Sequence, residues 1–146
     1  MSERVGKALR SQVRERAAAC CEYCGMPDDG TLIPHEPDHI IAVQHGGVTS
    51  FENLAYTCHQ CNRYKGPNLA SIDPHDGARV FLFNPRTERW QDHFGWEGAR
   101  IVALTPVGRA TAALLRFNDP RRLAARDSLS RHVTRSSARG AILKRR

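Results

Sequence analysis

Apolar residues recur at helical spacing near the start of the chain and again in its last third. Val5, Leu9 and Val13 are four positions apart with charged residues between them, which predicts an amphipathic helix over residues 4–19. A second run of this kind follows Thr105-Pro106, where a capping hydroxyl precedes a proline in the first turn. Helices are therefore expected on both sides of a less regular centre.

The centre of the chain alternates between short apolar runs and turn residues. Two prolines interrupt residues 32–43, so residues 38–43 are its more plausible extended part. The pattern then predicts a helix from residue 52 or 53 to residue 64, which Lys65-Gly66-Pro67 would end. Residues 67–78 have the composition of a connecting loop.

The segment that follows has the pattern of short strands. Residues 79–83 and 89–94 flank a turn at residues 84–87, which predicts a hairpin or a pair of short strands. Residues 101–104 form a further short apolar run. Trp90, Phe94 and Trp96 are expected to lie in the core.

Cysteines are the most informative residues in the chain. Cys21 and Cys24 form one CxxC pair, Cys58 and Cys61 form another, and Cys20 is left over from the total of five. Four thiols at this spacing can hold one tetrahedral zinc ion, the alternative being four ordinary buried thiols. Because sulfur would fill every coordination position, such an ion would be structural.

The net positive charge of the chain comes entirely from its C-terminal stretch. From residue 116 onward the chain has ten basic and two acidic residues, whereas the preceding part has 12 basic and 13 acidic ones. Such a tail suits contact with a phosphate backbone. The alternative is a solvated, partly disordered tail with no specific partner.

Neither a membrane span nor a secretory leader is predicted. No run of apolar residues approaches the roughly 18 that a membrane helix needs. The first residues are charged and contain no apolar core typical of a signal peptide. With the odd cysteine count, this favours a reducing, cytoplasmic setting and no membrane partner.

Asp38-His39 is the second chemical feature, on a predicted strand that faces the predicted helix carrying Asn62. A neutral imidazole can take a proton from water near neutral pH. Carboxylate and amide oxygens are ligands suited to magnesium or a similar divalent ion. These groups together have the chemistry needed to hydrolyse a phosphodiester bond.

The run from Asp38-His39 through Gly46-Gly47 and Asn53-Leu54 to Cys58–Gly66 resembles the HNH endonuclease family, whose fold is ββα-metal. The resemblance implies that His39 is the general base and that Asp38 is the acidic metal ligand. It implies that Asn53 braces the loop between the two strands and so orients His39. Asn62 takes the third motif position, often a histidine, and would be the second ligand of the catalytic metal.

The resemblance and the charge together suggest which residues contact nucleic acid. Lys65 matches the basic residue that often follows on the motif helix, and Arg63 and the C-terminal arginines are the other expected phosphate contacts. His45 is either at the catalytic edge, touching phosphate, or a plain turn residue. Implied cofactors are a structural Zn²⁺ and a catalytic Mg²⁺ or another divalent cation such as Mn²⁺ or Ni²⁺.

The expected fold is α+β: a ββα-metal core stapled by a four-cysteine zinc knuckle, with an N-terminal helix and a C-terminal β-hairpin and helix. We expect residues 1–19 to form the helix, 20–67 the nuclease core, 68–118 the hairpin-helix extension and 119–146 a basic C-terminal helix or tail, partly disordered. The extension also resembles one in small bacterial members of the family.

The expected activity is metal-dependent cleavage of DNA, leaving 5′-phosphate and 3′-hydroxyl ends. Two alternatives stay open at this point. One is a non-catalytic, zinc-stabilised nucleic-acid-binding module, and the other is a nuclease directed at RNA. A monomer and a homodimer are equally compatible with the sequence.

Overall fold

A computed structural model of the chain describes residues 4–133. The basic residues beyond position 133, and the predicted disorder of that tail, lie outside this range. Within it, no helix is both long and apolar enough to cross a membrane.

The N-terminal helix is shorter than predicted. Helix α1 covers Lys7–Arg16 instead of residues 4–19, and Val13 on its inner face is fully buried. It packs against the two strands described next. The helix stops because Ala18 and Ala19 take positive φ angles of 53° and 60°, which turn the chain sharply into the first cysteine pair.

The centre of the fold is two antiparallel strands followed by a helix. Strand β1 (Glu36–His39) pairs with strand β2 (Leu54–Thr57), and helix α2 (His59–Lys65) follows. The predicted helix from residue 52 or 53 was therefore wrong in its first half. The four residues of β2 are all buried, and this complete enclosure of a short apolar run conceals the period of two by which a strand is recognised.

The predicted strand over residues 38–43 was also displaced. Observed β1 begins two residues earlier and ends at His39. Beyond it, the side chain of Asn53 binds the backbone of Ile41, and the chain enters a helical turn at Val43–His45. A local side-chain contact thus ends the strand where the apolar pattern alone would extend it.

The rest of the chain forms two further hairpins and three helices within the described residues. Strands β3 (Ala70–Ile72) and β4 (Arg79–Phe81) pair with each other, so residues 67–78 are not merely a loop. Residues 89–94 do not pair with β4 as predicted. They contain the short helix α3 (Trp90–His93), which leads into strands β5 (Phe94–Glu97) and β6 (Arg100–Ala103).

The last two helices close the core. Helix α4 (Pro106–Leu114) begins as predicted, with the Thr105 hydroxyl accepting a hydrogen bond from Gly108 N. Helix α5 (Pro120–Val133) follows. The main cluster of buried residues joins the cysteines to Trp90, Phe94 and other apolar side chains, with Trp96 partly buried at its edge. The observed α+β architecture of helices and small antiparallel strands agrees with the expected fold class.

Candidate functional site: a cysteine cluster and an adjoining Asp-His cleft

The two CxxC pairs meet in the interior. The sulfur atoms of Cys21, Cys24, Cys58 and Cys61 lie within 4.8 Å of one another, and all four residues are buried. The Cys24 and Cys58 sulfurs are 3.6 Å apart, far longer than a disulfide bond of about 2.05 Å. Zinc–sulfur bonds of about 2.3 Å in a tetrahedron place the sulfurs about 3.8 Å apart, so the cluster fits a zinc ion. Cys20 is buried outside this cluster.

Local backbone geometry forms both cysteine turns. Cys21 N donates to Met26 O, and Gly25, with φ of 80°, donates back to Cys21 O. Cys58 is the N-cap of α2, and its sulfur accepts from Cys61 N. Each pair is thus fixed by hydrogen bonds that involve the cysteines themselves, a geometry typical of metal-binding turns.

The four thiols affect one another's ionisation in opposite directions. Hydrogen bonds from the other three cysteines, chiefly Cys21, hold the pKa of the Cys24 thiol well below its usual range. Burial, together with the other three cysteines, raises the pKa of the Cys61 thiol well above its usual range. A divalent ion would remove this conflict by accepting all four thiolates, which is the state that zinc requires.

Arg122 contacts the cysteine cluster, a role that sequence reasoning missed. Its guanidinium Nη2 lies 3.1 Å from the Cys61 sulfur and 3.5 Å from the Cys58 sulfur, and Nη1 donates to Leu115 O at 2.5 Å. Four thiolates around Zn²⁺ carry two excess negative charges, which a buried cation would partly neutralise.

The two inward-facing arginines of α5 correct part of the tail prediction. Arg122 and Arg126 are only 7% and 4% exposed, and Arg126 donates to backbone carbonyls. They therefore stabilise the fold and do not reach a phosphate. The sequence signal that could have found them is their spacing of four on one helix face.

A second site opens on the other side of α2. A cleft of about 180 Å³ lies between the end of β1 and the helix, and Asp38, His39 and Asn62 all line it. Successive strand residues normally point to opposite faces, but β1 ends at His39, and the turn of the chain there lets both side chains share the cleft. The structure thus brings together three of the predicted catalytic residues.

His39 is held firmly at the cleft wall. The residue is 5% exposed, and its Nε2 lies 2.8 Å from the Thr49 hydroxyl oxygen. In the tautomer that donates from Nε2 to Thr49, Nδ1 carries the lone pair that can accept a proton. Thr49 is therefore a positioning residue that the motif did not reveal.

Asn53 lies behind the cleft and fixes the loop that follows His39. Its Oδ1 accepts from Ile41 N at 2.9 Å, and its Nδ2 donates to Ile41 O and Val48 O at 3.0 and 2.8 Å. Gly47 is required beside it, because a Cβ there would lie 1.7 Å from Ile41 O. These hydrogen bonds support the loop after His39, and the role of Asn53 in orienting His39 stays a prediction.

Lys65 is not placed to contact a phosphate, contrary to the sequence prediction. The residue is 2% exposed, and its ammonium donates to His39 O and Ile40 O at 3.2 and 3.3 Å. It also lies 3.5 Å from Asp38 Oδ2. Lys65 instead ties α2 to the end of β1 and so sets the width of the cleft.

The other two predicted nucleic-acid contacts stay accessible. Arg63 is exposed on α2, next to Asn62, and His45 is exposed in the turn at Val43–His45. Neither side chain lines the cleft itself. Their positions leave a phosphate-binding role open to test.

Asp38 has the environment of a cation ligand. Burial raises the pKa of its carboxyl group above the usual value, and the nearby Lys65 only partly opposes this. Its Oδ2 is buried and makes no hydrogen bond to any of the described residues. An incompletely satisfied carboxylate oxygen, with the amide of Asn62 in the same cleft, fits a hard divalent ion such as magnesium.

The cysteine turns, the paired strands and α2 thus form a small α+β domain of zinc-knuckle type. Residues 21–68 match a family model described as HNH endonuclease. This segment, about a third of the chain, is therefore similar to an HNH endonuclease domain. Comparisons with curated proteins and with solved structures gave no significant match.

Proposed function

We propose that the protein is a metal-dependent endonuclease that hydrolyses phosphodiester bonds in DNA. The observation that carries this proposal is the convergence of Asp38, His39 and Asn62 on one cleft. A buried oxygen of Asp38 there lies 3.5 Å from the Lys65 ammonium and makes no hydrogen bond to the described residues. An HNH domain implies a nucleic-acid substrate. DNA as the preferred substrate follows from the family resemblance.

The proposed reaction begins with water beside His39. The imidazole, oriented by Thr49, takes a proton from the water, which then attacks phosphorus in line with the departing 3′ oxygen. Asp38 and Asn62 would hold a divalent ion, which when bound supplies positive charge to the developing phosphorane. The products expected from this bond cleavage are 5′-phosphate and 3′-hydroxyl ends.

The cysteine cluster has a different role in this proposal. With every coordination position filled by sulfur, a zinc ion there leaves no place for substrate, so its contribution is to folding. The proposed catalytic unit is residues 20–67. Within the described residues, α1 packs against the strands of this unit and Arg122 of α5 contacts its cysteines. We propose the cytoplasm as its compartment, because its cysteines suit a reducing environment.

The direct test is cleavage of supercoiled plasmid by the zinc-loaded protein with Mg²⁺, Mn²⁺ or Ni²⁺, beside an RNA of equal length. We expect DNA cutting with at least one of these ions. His39→Ala should lower the rate roughly 100- to 10,000-fold, the usual contribution of a general base. Unchanged zinc content and circular dichroism would show that the variant is folded.

Three outcomes would contradict this proposal. Full activity in His39→Ala would exclude it as the base. A gel shift without cutting under every metal would indicate a binding module instead of an enzyme. Preferential cleavage of the RNA would show that the substrate is RNA and not DNA.

A further inference from the structure

The β3–β4 hairpin presents an exposed face that combines an aromatic and a basic side chain. Ala70 pairs with Phe81 and Ile72 pairs with Arg79, so the alternation of strand residues places these four side chains on one face. Helix α4 packs against both strands. Phe81 is 74% exposed and Ile72 is 49% exposed, and Arg79 is exposed beside them.

This face borders a second cleft, larger than that of Asp38 and His39. The cleft has a volume of about 520 Å³, and Ile41, Leu69 and Phe81 are the exposed apolar residues among those that line it. Tyr23 also lines it, and its buried hydroxyl makes no hydrogen bond to the described residues. Large apolar side chains grouped in this way on a surface are typical of a binding site.

The larger cleft adjoins the proposed active site across the Lys65 side chain. Lys65 lines it, while the same ammonium binds His39 O and lies 3.5 Å from Asp38 Oδ2. Ile40 and Ile41, which follow His39 directly, form another part of its wall. A nucleic-acid strand bound in the Asp38–His39 cleft would therefore lie next to the larger cleft.

We propose that the hairpin face and this cleft bind an unpaired nucleobase next to the scissile phosphate. The base stacks on Phe81, and the phosphate adjoining it contacts Arg79. A nucleobase has apolar faces and polar edges, which match an aromatic wall interrupted by groups such as the Tyr23 hydroxyl. This proposal rests on the proposed function, since it takes the substrate to be nucleic acid.

The test uses the full zinc-loaded chain in a His39→Ala background, so that bound substrate is not cut. Binding is measured by fluorescence anisotropy for a labelled single-stranded DNA and for an abasic oligomer with the same phosphates and no bases. Phe81→Ala should weaken binding to the DNA roughly 5- to 150-fold, the range for loss of one base-stacking contact. It should leave binding to the abasic oligomer unchanged.

Two further variants make the result specific. Leu104→Ala removes an apolar side chain that is also exposed, at 56%, but lies outside the cleft, and it should change neither affinity. Arg79→Gln should weaken binding to both oligomers and reduce the slope of log affinity against log salt by about 0.7, the change for one phosphate contact on a single strand. Phe81→Trp should bind DNA at least as well as the parent.

Equal loss of both oligomers in Phe81→Ala, or no loss of either, would overturn the proposal. A change in sedimentation of the free protein on Phe81→Ala would assign the face to a second copy of the chain and overturn it as well. If the wild-type protein cuts plasmid while Phe81→Ala binds DNA normally, only this surface is refuted. If no cutting is seen but stacking is, the nuclease proposal fails alone.

Discussion

The cysteine cluster and the Asp38–His39 cleft lie on two sides of the same short helix, yet they differ in nearly every physical respect. Cys61 and Asn62 are neighbours on α2, about 100° apart around its axis, and one faces each site. The cluster is enclosed, is built from sulfur and receives a buried arginine. The cleft is open and is built from oxygen and nitrogen, and among the described residues nothing donates a hydrogen bond to Asp38 Oδ2.

This difference separates stability from chemistry. A metal site whose coordination positions are all filled by protein atoms stabilises the folded state but has no position left to bind a substrate. A site with unmet hydrogen-bonding capacity costs stability and keeps groups available for binding. Because both sites share α2, the cysteine cluster fixes the position of Asn62 in the Asp38–His39 cleft. Three variants test that separation, from the largest expected effect to the smallest, and an ion pair distant from both sites gives a smaller effect.

Loss of the cluster should remove both sites at once. Cys61→Ser, or strong chelation of the wild-type protein, should abolish cooperative thermal unfolding, because structural zinc binding contributes about 10–16 kcal/mol, comparable with a whole domain's stability of about 5–15 kcal/mol. The measurements are zinc content and near-ultraviolet circular dichroism. Cys20→Ser, at a buried cysteine outside the cluster, is the matched control and should keep its zinc.

If Cys61→Ser retained one zinc ion per chain and an unchanged melting temperature, the cluster would not be a structural zinc site that stabilises the fold.

Loss of the Asn53 side chain should impair the Asp38–His39 cleft and leave the cysteine cluster intact. Asn53→Ala removes three hydrogen bonds to the backbone of Ile41 and Val48 and leaves polar groups there unpaired. We expect a loss of roughly 2–4 kcal/mol in unfolding free energy by urea titration. DNA cleavage should fall about 10- to 100-fold because His39 loses its alignment.

The Asn53→Ala protein should still contain one zinc ion. Zinc loss in step with activity would show that the two sites are not separable in the way proposed.

Loss of the buried Arg122 side chain should weaken zinc binding by the cysteine cluster and leave the Asp38–His39 cleft unchanged. Arg122→Met removes the N–H groups that face the Cys58 and Cys61 sulfurs. Zinc release to a coloured chelator should be about 10- to 100-fold faster, in line with other outer-shell partners of metal ligands. Arg121→Met, at the exposed neighbouring arginine, serves as the matched control and should release zinc at the wild-type rate.

Identical release from both arginine variants would show that the Arg122 contact has no influence on the metal.

A smaller, pH-dependent effect is expected far from both sites. The Arg109 guanidinium, which bonds to both carboxylate oxygens of Asp73, holds the pKa of that buried residue at about 2. An unfolded aspartate has a pKa of about 3.9, so this pair contributes stability above that pH and loses it as the pH falls towards 2.

The check is thermal unfolding of the wild type and of Asp73→Asn at a series of pH values below 6, over the range in which both proteins still contain zinc. The difference between their melting temperatures should shrink as the pH falls, because protonation of Asp73 removes its ion pair with Arg109. A difference that stays constant over this range would rule out the assigned pair.

The features best predicted from sequence were those whose spacing is dictated by chemistry. Two CxxC pairs indicated the cluster, and a cap followed by proline located the start of α4. The Asp38-His39 dipeptide and Asn62 indicated residues that do meet in one cleft. In each case a short motif specifies local geometry without help from distant residues.

The features that sequence missed depend on tertiary burial. Strand β2 was taken for helix because all four of its residues are enclosed, so no polar face marks its period. Lys65 was assigned to phosphate from its place in the motif and Arg122 from the charge of the C-terminal stretch, and both assignments require a charged side chain that faces solvent. Here they are buried, each against specific acceptors that lie far away in sequence.

The most direct test of the separation is manganese binding to the zinc-loaded protein, followed by electron paramagnetic resonance. We predict one Mn²⁺ site in the wild type, its loss in Asp38→Asn, and one zinc ion per chain in both proteins. Equal Mn²⁺ binding in the two proteins, or loss of zinc from Asp38→Asn, would contradict the account.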